Sequence, residues 1–188
     1  MYSKDISKKV HSSYLLKAQK GQFTGCLAPF GYRKDPEDKN HLLIDEDTAP
    51  IVRRLFAWAL EGHGPNYIRR RLEEEKIPCP TYWNRVRGLR NVSTKWEKKD
   101  PVNGRYIWDF TVIKDILMNP VYTGAIASQK KEYRFKIGTI GEKKPEDWIV
   151  VENQHEPLVD RKTFDIVQRK LKSRQRPRQT GEISLFAG

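Results

Sequence analysis

The chain has 188 residues, with 36 Lys and Arg against 24 Asp and Glu, which gives a net charge of +12 and a pI of about 9.7. Aromatic residues make up 11% of it, enough for a hydrophobic core that a disordered basic tail lacks. No apolar run reaches the roughly 18 residues of a membrane span, and two cysteines are too few for a disulfide framework or a four-cysteine zinc site. We therefore expect a cytoplasmic protein with an anionic partner, nucleic acid above all.

The first predicted element is a polar helix over residues 3–20. Ile6, Val10 and Tyr14 recur at intervals of four and mark one narrow apolar face. A face this narrow stabilises a helix only when it lies against a neighbour or belongs to a longer element. Gly21 is expected to end the helix.

A short β-hairpin is predicted next, because apolar runs at 29–33 and 41–44 flank turn-forming residues. Within it, Gly31 is expected to allow close backbone approach or an unusual φ. Tyr32 is expected to pack near the hairpin, and the alternative is that its ring stacks on DNA. A mutation of Tyr32 distinguishes the two.

Helical periodicity then predicts three helices. The first spans 47–62 and the second runs from Asn66 to about Ile77-Pro78. After a basic segment, 81–105, read as a loop, Asp109 caps a third helix over 109–118. Short strand-like runs and a final helix from Asp160 follow. These elements predict an α+β fold: a helix-dominated DNA-binding domain with a three-helix, helix-turn-helix-like core and small β-hairpins.

The basic segment is the first candidate DNA contact. Its positive charges outnumber its negative charges, which favours phosphate contacts over a solvated charged loop. The aromatic side chains Tyr82, Trp83 and Trp96 are interleaved with them. The candidate contacts are Arg85, Arg87, Arg90, Lys95, Lys98, Lys99 and Arg105.

The third helix is the candidate reader of sequence, with Thr111, Lys114 and Asp115 predicted to point outward; the alternative is a core helix with a solvated outer face. The last helix and its tail are basic and are interpreted either as following a DNA groove or as a solvated face. From it we take as candidate contacts Arg169, Lys172, Arg174 and Arg176. A third basic group stays ambiguous and comprises Lys130, Lys131, Arg134 and Lys136.

Two alternative functions remain open. Glu74-Glu75-Lys76 matches half of a metal-dependent nuclease site, although charged residues are expected on any exposed helix. Tyr82, Trp83 and Trp96 could instead stack on the bases of RNA or single-stranded DNA. The four histidines are scattered along the chain, so the sequence indicates no metal ligands and no cofactor.

Five landmarks, in order along residues 3–188, resemble the recombinase domain of large serine recombinases. They are Gly21-x-x-x-Gly25 before Ala28-Pro29-Phe30-Gly31-Tyr32; Ile51-Val52-Arg53-Arg54-Leu55-Phe56; Ile68 through Pro78; Trp108 with Ile113-x-x-Ile116-Leu117-x-Asn119-Pro120-x-Tyr122-x-Gly124; and His155-x-Pro157-Leu158-Val159-Asp160 with Phe164 and Val167-Gln168.

This resemblance implies a division of the chain. Residues 1–22 are expected to be the end of a long helix from a catalytic domain outside the chain, 23–180 the DNA-binding recombinase domain, and 181–188 the start of a linker to a zinc ribbon. The catalytic serine and the zinc cysteines of the family have no match here. We therefore expect double-stranded DNA as partner, oligomerisation through other regions of the parent protein, and no catalysis by this chain.

Overall fold

The computed structural model describes residues 2–89, 100, 102–134 and 139–174. In this part of the chain, helices and strands follow the order α1 (Tyr2–Gln19), β1 (Tyr32–Lys34), β2 (Leu42–Ile44), α2 (Ala49–Leu60), α3 (Pro65–Glu74), α4 (Pro80–Val86), α5 (Phe110–Met118), β3 (Ile126–Ser128), β4 (Lys131–Arg134), β5 (Thr139–Glu142), β6 (Ile149–Val151) and α6 (Arg161–Ser173). Short 3₁₀ turns lie at Gly104–Tyr106, Pro120–Thr123 and Pro145–Asp147.

The strands form antiparallel pairs of two. β1 pairs with β2, β4 with β5, and β3 with β6. The first pair is the hairpin predicted around residues 29–44. The β3–β6 pair joins segments more than 20 residues apart and encloses the β4–β5 hairpin, a pairing that strand-like runs alone do not specify.

The predicted α+β fold class with a helical core is confirmed. α2, α3 and α5 pack together through their apolar faces, and α6 packs on α2 and α5 as a fourth member. The fully buried side chains at the centre include Val52, Leu55, Phe56, Ile68, Leu72, Ile113, Leu117 and Val167. Burial of these faces supplies the main driving force for folding.

One predicted loop is partly helical. The basic segment begins with α4, which the sequence analysis missed because its seven residues bury no complete apolar face. Pro80 occupies the first turn, where a missing N–H has no cost. The loop prediction for 81–105 was therefore wrong for residues 81–86.

The expectation for Gly31 is confirmed. Its φ is +93°, and a Cβ on it would lie 2.8 Å from Val52 Cγ2 and 2.9 Å from Leu158 Cδ1. Only glycine combines that backbone conformation with so little space. Tyr32, the next residue, is 3% exposed and packs in the core, so its ring is not available to stack on DNA.

His155 is expected to make the stability of the protein depend on pH. Its buried Nε2 donates to the Val121 carbonyl at 2.7 Å, while Nδ1 has no hydrogen-bond partner in the described part of the chain. Burial lowers the pKa of His155, so the unfolded chain binds a proton first as the pH falls through about 6.5. Stability conferred by the neutral ring is therefore present above that pH and declines below it.

We expect the melting temperature to fall between pH 7.5 and pH 5.5, and to fall less in His155→Gln, whose amide can still donate to Val121. Thermal melts followed by circular dichroism at both pH values test this. An equal fall in the two proteins would contradict the assignment to His155.

Candidate nucleic-acid interface

Helix α5 is a short rod fixed at its N-terminus and along one side. Asp109 caps it by accepting from the Thr111 N–H at 2.8 Å, and the buried Ile113, Ile116 and Leu117 anchor it to the core. Because both the end and the rear face are held, the outer face has a fixed orientation. This is the property that a helix needs to read base edges.

The outer face of α5 carries the predicted residues and two more. Thr111 and Asp115 are exposed and Lys114 is partly exposed. The Thr111 hydroxyl donates to Asp109 at 2.7 Å, so it reinforces the cap and offers its methyl group and a lone pair outward. Phe110 and Met118 are also exposed, at 39% and 42%, although the pattern had marked neither as an outward residue.

The basic segment is only partly described. Arg85 is exposed at the end of α4. Arg105 is partly buried, with its guanidinium over the rings of Tyr106 at 4.9 Å and Tyr82 at 6.0 Å. Four further predicted contacts of this segment lie outside the described residues: Arg90, Lys95, Lys98 and Lys99.

Arg87 has a structural role that the sequence did not predict. Its guanidinium donates to the two carboxylate oxygens of Asp45 at 2.5 Å and 3.0 Å, and to the carboxylate of Asp47 at 3.2 Å. The Asp45 side chain is 6% exposed and also accepts from the Thr48 hydroxyl at 2.5 Å. Burial alone would raise the pKa of Asp45, but the bonds from Arg87 and Thr48 lower it. Part of the Arg87 guanidinium is therefore engaged by two carboxylates, and the assignment of Arg87 to a phosphate contact stays a prediction.

Two cations at the C-terminal end of α6 contact the end of α2: Lys170 within the helix and Arg174 directly after it. Lys170 donates to the Leu60 carbonyl and Arg174 to the Gly62 carbonyl, where a helix C-terminus leaves acceptors without backbone partners. Arg174 thus has a structural contact at the end of α2, and its assignment as a DNA contact stays a prediction. Arg169 and Lys172 are exposed, and their side chains pair with no other described residue. Arg176 lies outside the described residues.

Described residues of the two alternative sites, the nuclease motif and the stacking aromatics, make contacts within the fold. Glu75 of the nuclease motif pairs with Arg54 and, at 3.2 Å, with Arg71, and these hydrogen bonds lower the pKa of Glu75. Among the described residues, no three His, Cys, Asp or Glu side chains are grouped as metal ligands. Tyr82 packs against the core, and the Trp83 indole N–H is buried. Trp96 lies outside the described residues.

Further lysines lie in a cleft that the sequence did not reveal. Helix α1 contributes Lys9 and Lys17, two turns apart on one face, and the β1–β2 hairpin contributes Lys34 and Lys39. The spacing of Lys9 and Lys17 along a helix could have been recognised in the sequence. Only the tertiary structure shows that the β1–β2 hairpin lies opposite them.

No helix in the described ranges is long and apolar enough to cross a membrane.

A helical core of this kind, with a capped outer helix and small β-ribbons, defines a helix-turn-helix-like domain. The sequence also matches the model of the Recombinase family over residues 46–174, more than half of the chain. The chain therefore belongs to the Recombinase family, the domain of large serine recombinases.

The chain is also similar to one curated protein and to two solved structures. The chain is 37% identical over 81 residues to "Uncharacterized protein YefB" of Bacillus subtilis (strain 168), covering 42% of this chain and 27% of YefB. A structure from "Sequence Requirements of the Listeria innocua prophage attP site" superposes with a TM-score of 0.53 at 14% identity, covering 87% of this chain and 51% of that one. A structure from "Crystal Structure of a LSR-DNA Complex" has a TM-score of 0.48, 14% identity and coverage of 88% and 38%. The chain thus spans about a quarter of YefB and about half of the Listeria structure.

Proposed function

We propose that this chain binds duplex DNA sequence-specifically and positions a site-specific serine recombinase on its attachment site during integration or excision of a mobile element. The observation that carries the proposal is the fixed outer face of α5, with Thr111, Lys114 and Asp115 directed away from the core. Family membership supports the recombinase context. The Listeria structure supports an attachment site as target, since that work concerns the attP site.

Direct reading would come from α5 in the major groove, whose edge pattern distinguishes all four base pairs. Lys114 would donate to guanine, Thr111 would place its methyl group against thymine, and Asp115 would accept from the cytosine amino group. None of these roles involves covalent chemistry. The catalytic serine would come from another part of the parent protein.

Phosphate contacts would hold α5 in place without reading sequence. Among the predicted contacts that the structure describes, Arg85, Arg169 and Lys172 are exposed and suited to this. Each contact releases condensed counterions from DNA, so affinity should fall with salt at a log–log slope of about −0.9 per phosphate.

The test begins with selection of a preferred duplex from a random library and continues with binding titrations on the selected and a scrambled duplex across a salt series. Lys114→Ala is expected to cost roughly 1–3 kcal/mol on the selected duplex and much less on the scrambled one. The reason is that a base contact is lost only where the correct base is present.

Other outcomes contradict parts of the proposal. Equal losses on both duplexes would reduce Lys114 to a phosphate contact, and no loss on either would remove α5 from the interface. Binding by the wild-type chain that ignores salt, or a selection that enriches no sequence, would contradict the proposed function itself.

A further inference from the structure

A groove of about 430 Å³ runs between the C-terminal half of α5 and the segment that carries the β4–β5 hairpin. From the α5 side it is lined by Asp115 and Asn119, and from the other side by Lys130, Lys131, Lys143 and Trp148. Three of these side chains are cationic and one is anionic. Two of the lining lysines, Lys130 and Lys131, belong to the basic group whose role the sequence left ambiguous.

Lys130 lines this groove, and its side chain is held by contacts on two sides. Its ammonium donates to Asn119 Oδ1 at 3.2 Å and lies 5.0 Å from the centre of the Trp148 ring. The indole N–H of Trp148 donates to the Lys143 carbonyl at 3.1 Å, which fixes the ring. The ammonium is therefore oriented by groups that carry no formal charge.

The positive charge of Lys130 is not neutralised within the described residues. No carboxylate lies within ion-pair distance there, and Asp115 acts on it only from farther away. Burial lowers the pKa of Lys130, because the ammonium is partly removed from water. A desolvated charge without a partner is unfavourable unless a ligand compensates it.

The backbone at this point is also unfavourable on its own. Gln129, immediately before Lys130, has a φ of +60°, a conformation that L residues seldom adopt. The Lys143 N–H donates to the Lys130 carbonyl at 2.9 Å and closes the base of the hairpin. An unusual backbone and an uncompensated charge at adjacent residues are typical of functional positions.

We infer that this groove binds a backbone phosphate of the duplex, with the Lys130 ammonium as the central donor and Lys131 and Lys143 at the rim. The inference rests on the proposed function and deepens it. Asn119 takes one of the three N–H donors of Lys130, so donors remain for an anion. Asp115 lines the groove and stands next to Lys114, so the bound phosphate would fix the register of α5 against the base pairs.

The experiment compares Lys130→Met with Lys144→Met on a 30-base-pair duplex of arbitrary sequence. Both variants lose one positive charge, but Lys144 is exposed and does not line the groove. We expect Lys130→Met to lower affinity roughly threefold to tenfold and to reduce the salt slope by about 0.9, the value for one phosphate. Lys144→Met is expected to leave the slope unchanged.

Two further measurements separate binding from structure. Lys130→Met is expected to melt at or above the wild-type temperature, because Met keeps the packing and removes the desolvated ammonium. If Lys130→Met melts at a lower temperature than the wild type, the affinities and salt slopes of Lys143→Gln and Lys144→Gln are compared in its place, since Lys143 lies at the rim of the groove and Lys144 does not line it. The pKa of Lys130, followed by NMR of its ε-methylene group, is expected to rise when duplex is added and to rise far less with inorganic phosphate at equal ionic strength.

The inference is overturned alone if the wild-type chain binds duplex but Lys130→Met and Lys144→Met have equal affinities and slopes. It is also overturned if inorganic phosphate raises the pKa as far as the duplex does, since the groove would then be a general anion site. Failure of the wild-type chain to bind duplex at all would instead contradict the proposed function.

Discussion

Replacing Tyr32 by Ala is expected to lower the free energy of unfolding by about 3–5 kcal/mol, the usual cost of removing a large buried aromatic ring. Tyr32 is 3% exposed. Its ring stacks on Tyr122 at 6.0 Å and meets the edge of His155 at 4.8 Å. The loss should therefore open a cavity where three distant segments meet.

The Tyr32 hydroxyl adds a polar link to the same junction. It donates to the Glu156 carbonyl at 2.9 Å and accepts from the Leu158 N–H at 3.2 Å, which ties β1 to a segment more than 120 residues away. Tyr32→Phe keeps the ring and removes these bonds, so we expect it to cost about 1–3 kcal/mol. Chemical denaturation should give free energies of unfolding that increase from Tyr32→Ala to Tyr32→Phe to the wild type.

A matched control is available on α1. Tyr14 is half exposed, so Tyr14→Ala removes the same atoms with little expected change in stability. A Tyr32→Ala protein that melts like wild type but no longer binds duplex would contradict the structural role and favour stacking on DNA.

Local sequence signals predicted the elements that have strong local causes. α2 and α5 have apolar residues at helical spacing, and Asp109 and Asn119 mark the two ends of α5 as expected. The sequence did not predict α4, because this helix has Pro80 in its first turn but no apolar face with helical periodicity. Local pattern is thus informative where a helix buries one side and uninformative where it is too short to do so.

The candidate interface was less predictable, because charge alone does not reveal what a cation pairs with. Arg87 belongs to a basic run, yet its partner is a carboxylate 42 positions away. Lys130 gains its environment from Asn119 and Trp148, which lie on different elements. Only the tertiary structure separates cations already neutralised by the protein from cations left for a ligand.

Arg87→Ala is expected to lower the free energy of unfolding by about 3 kcal/mol. Removing one partner of a buried pair usually costs about 3–5 kcal/mol because the other charge stays buried alone. The lower end applies because Arg87 itself is 31% exposed and water can enter where it stood. The remaining carboxylate of Asp45 would keep its bond from Thr48, which softens the loss further.

A double-mutant cycle tests whether this cost comes from the ion pair. Asp45→Asn should destabilise the protein by itself, and adding Arg87→Ala to it should cost clearly less than Arg87→Ala does in the wild type. Additive costs would mean that Arg87 contributes through its contact with Trp83, whose ring lies 5.4 Å from the guanidinium, and not through Asp45.

Arg169→Ala is the matched comparison, since it removes the same kind of side chain from an exposed position on α6. We expect it to change the melting temperature little and to weaken binding to the selected and the scrambled duplex alike, as loss of a phosphate contact does. Arg87→Ala should lower the melting temperature and, at temperatures where the protein remains folded, leave binding nearly unchanged. If Arg87→Ala melted like wild type and weakened DNA binding as Arg169→Ala does, the pairing with Asp45 would have to open on DNA, and Arg87 would be a phosphate contact.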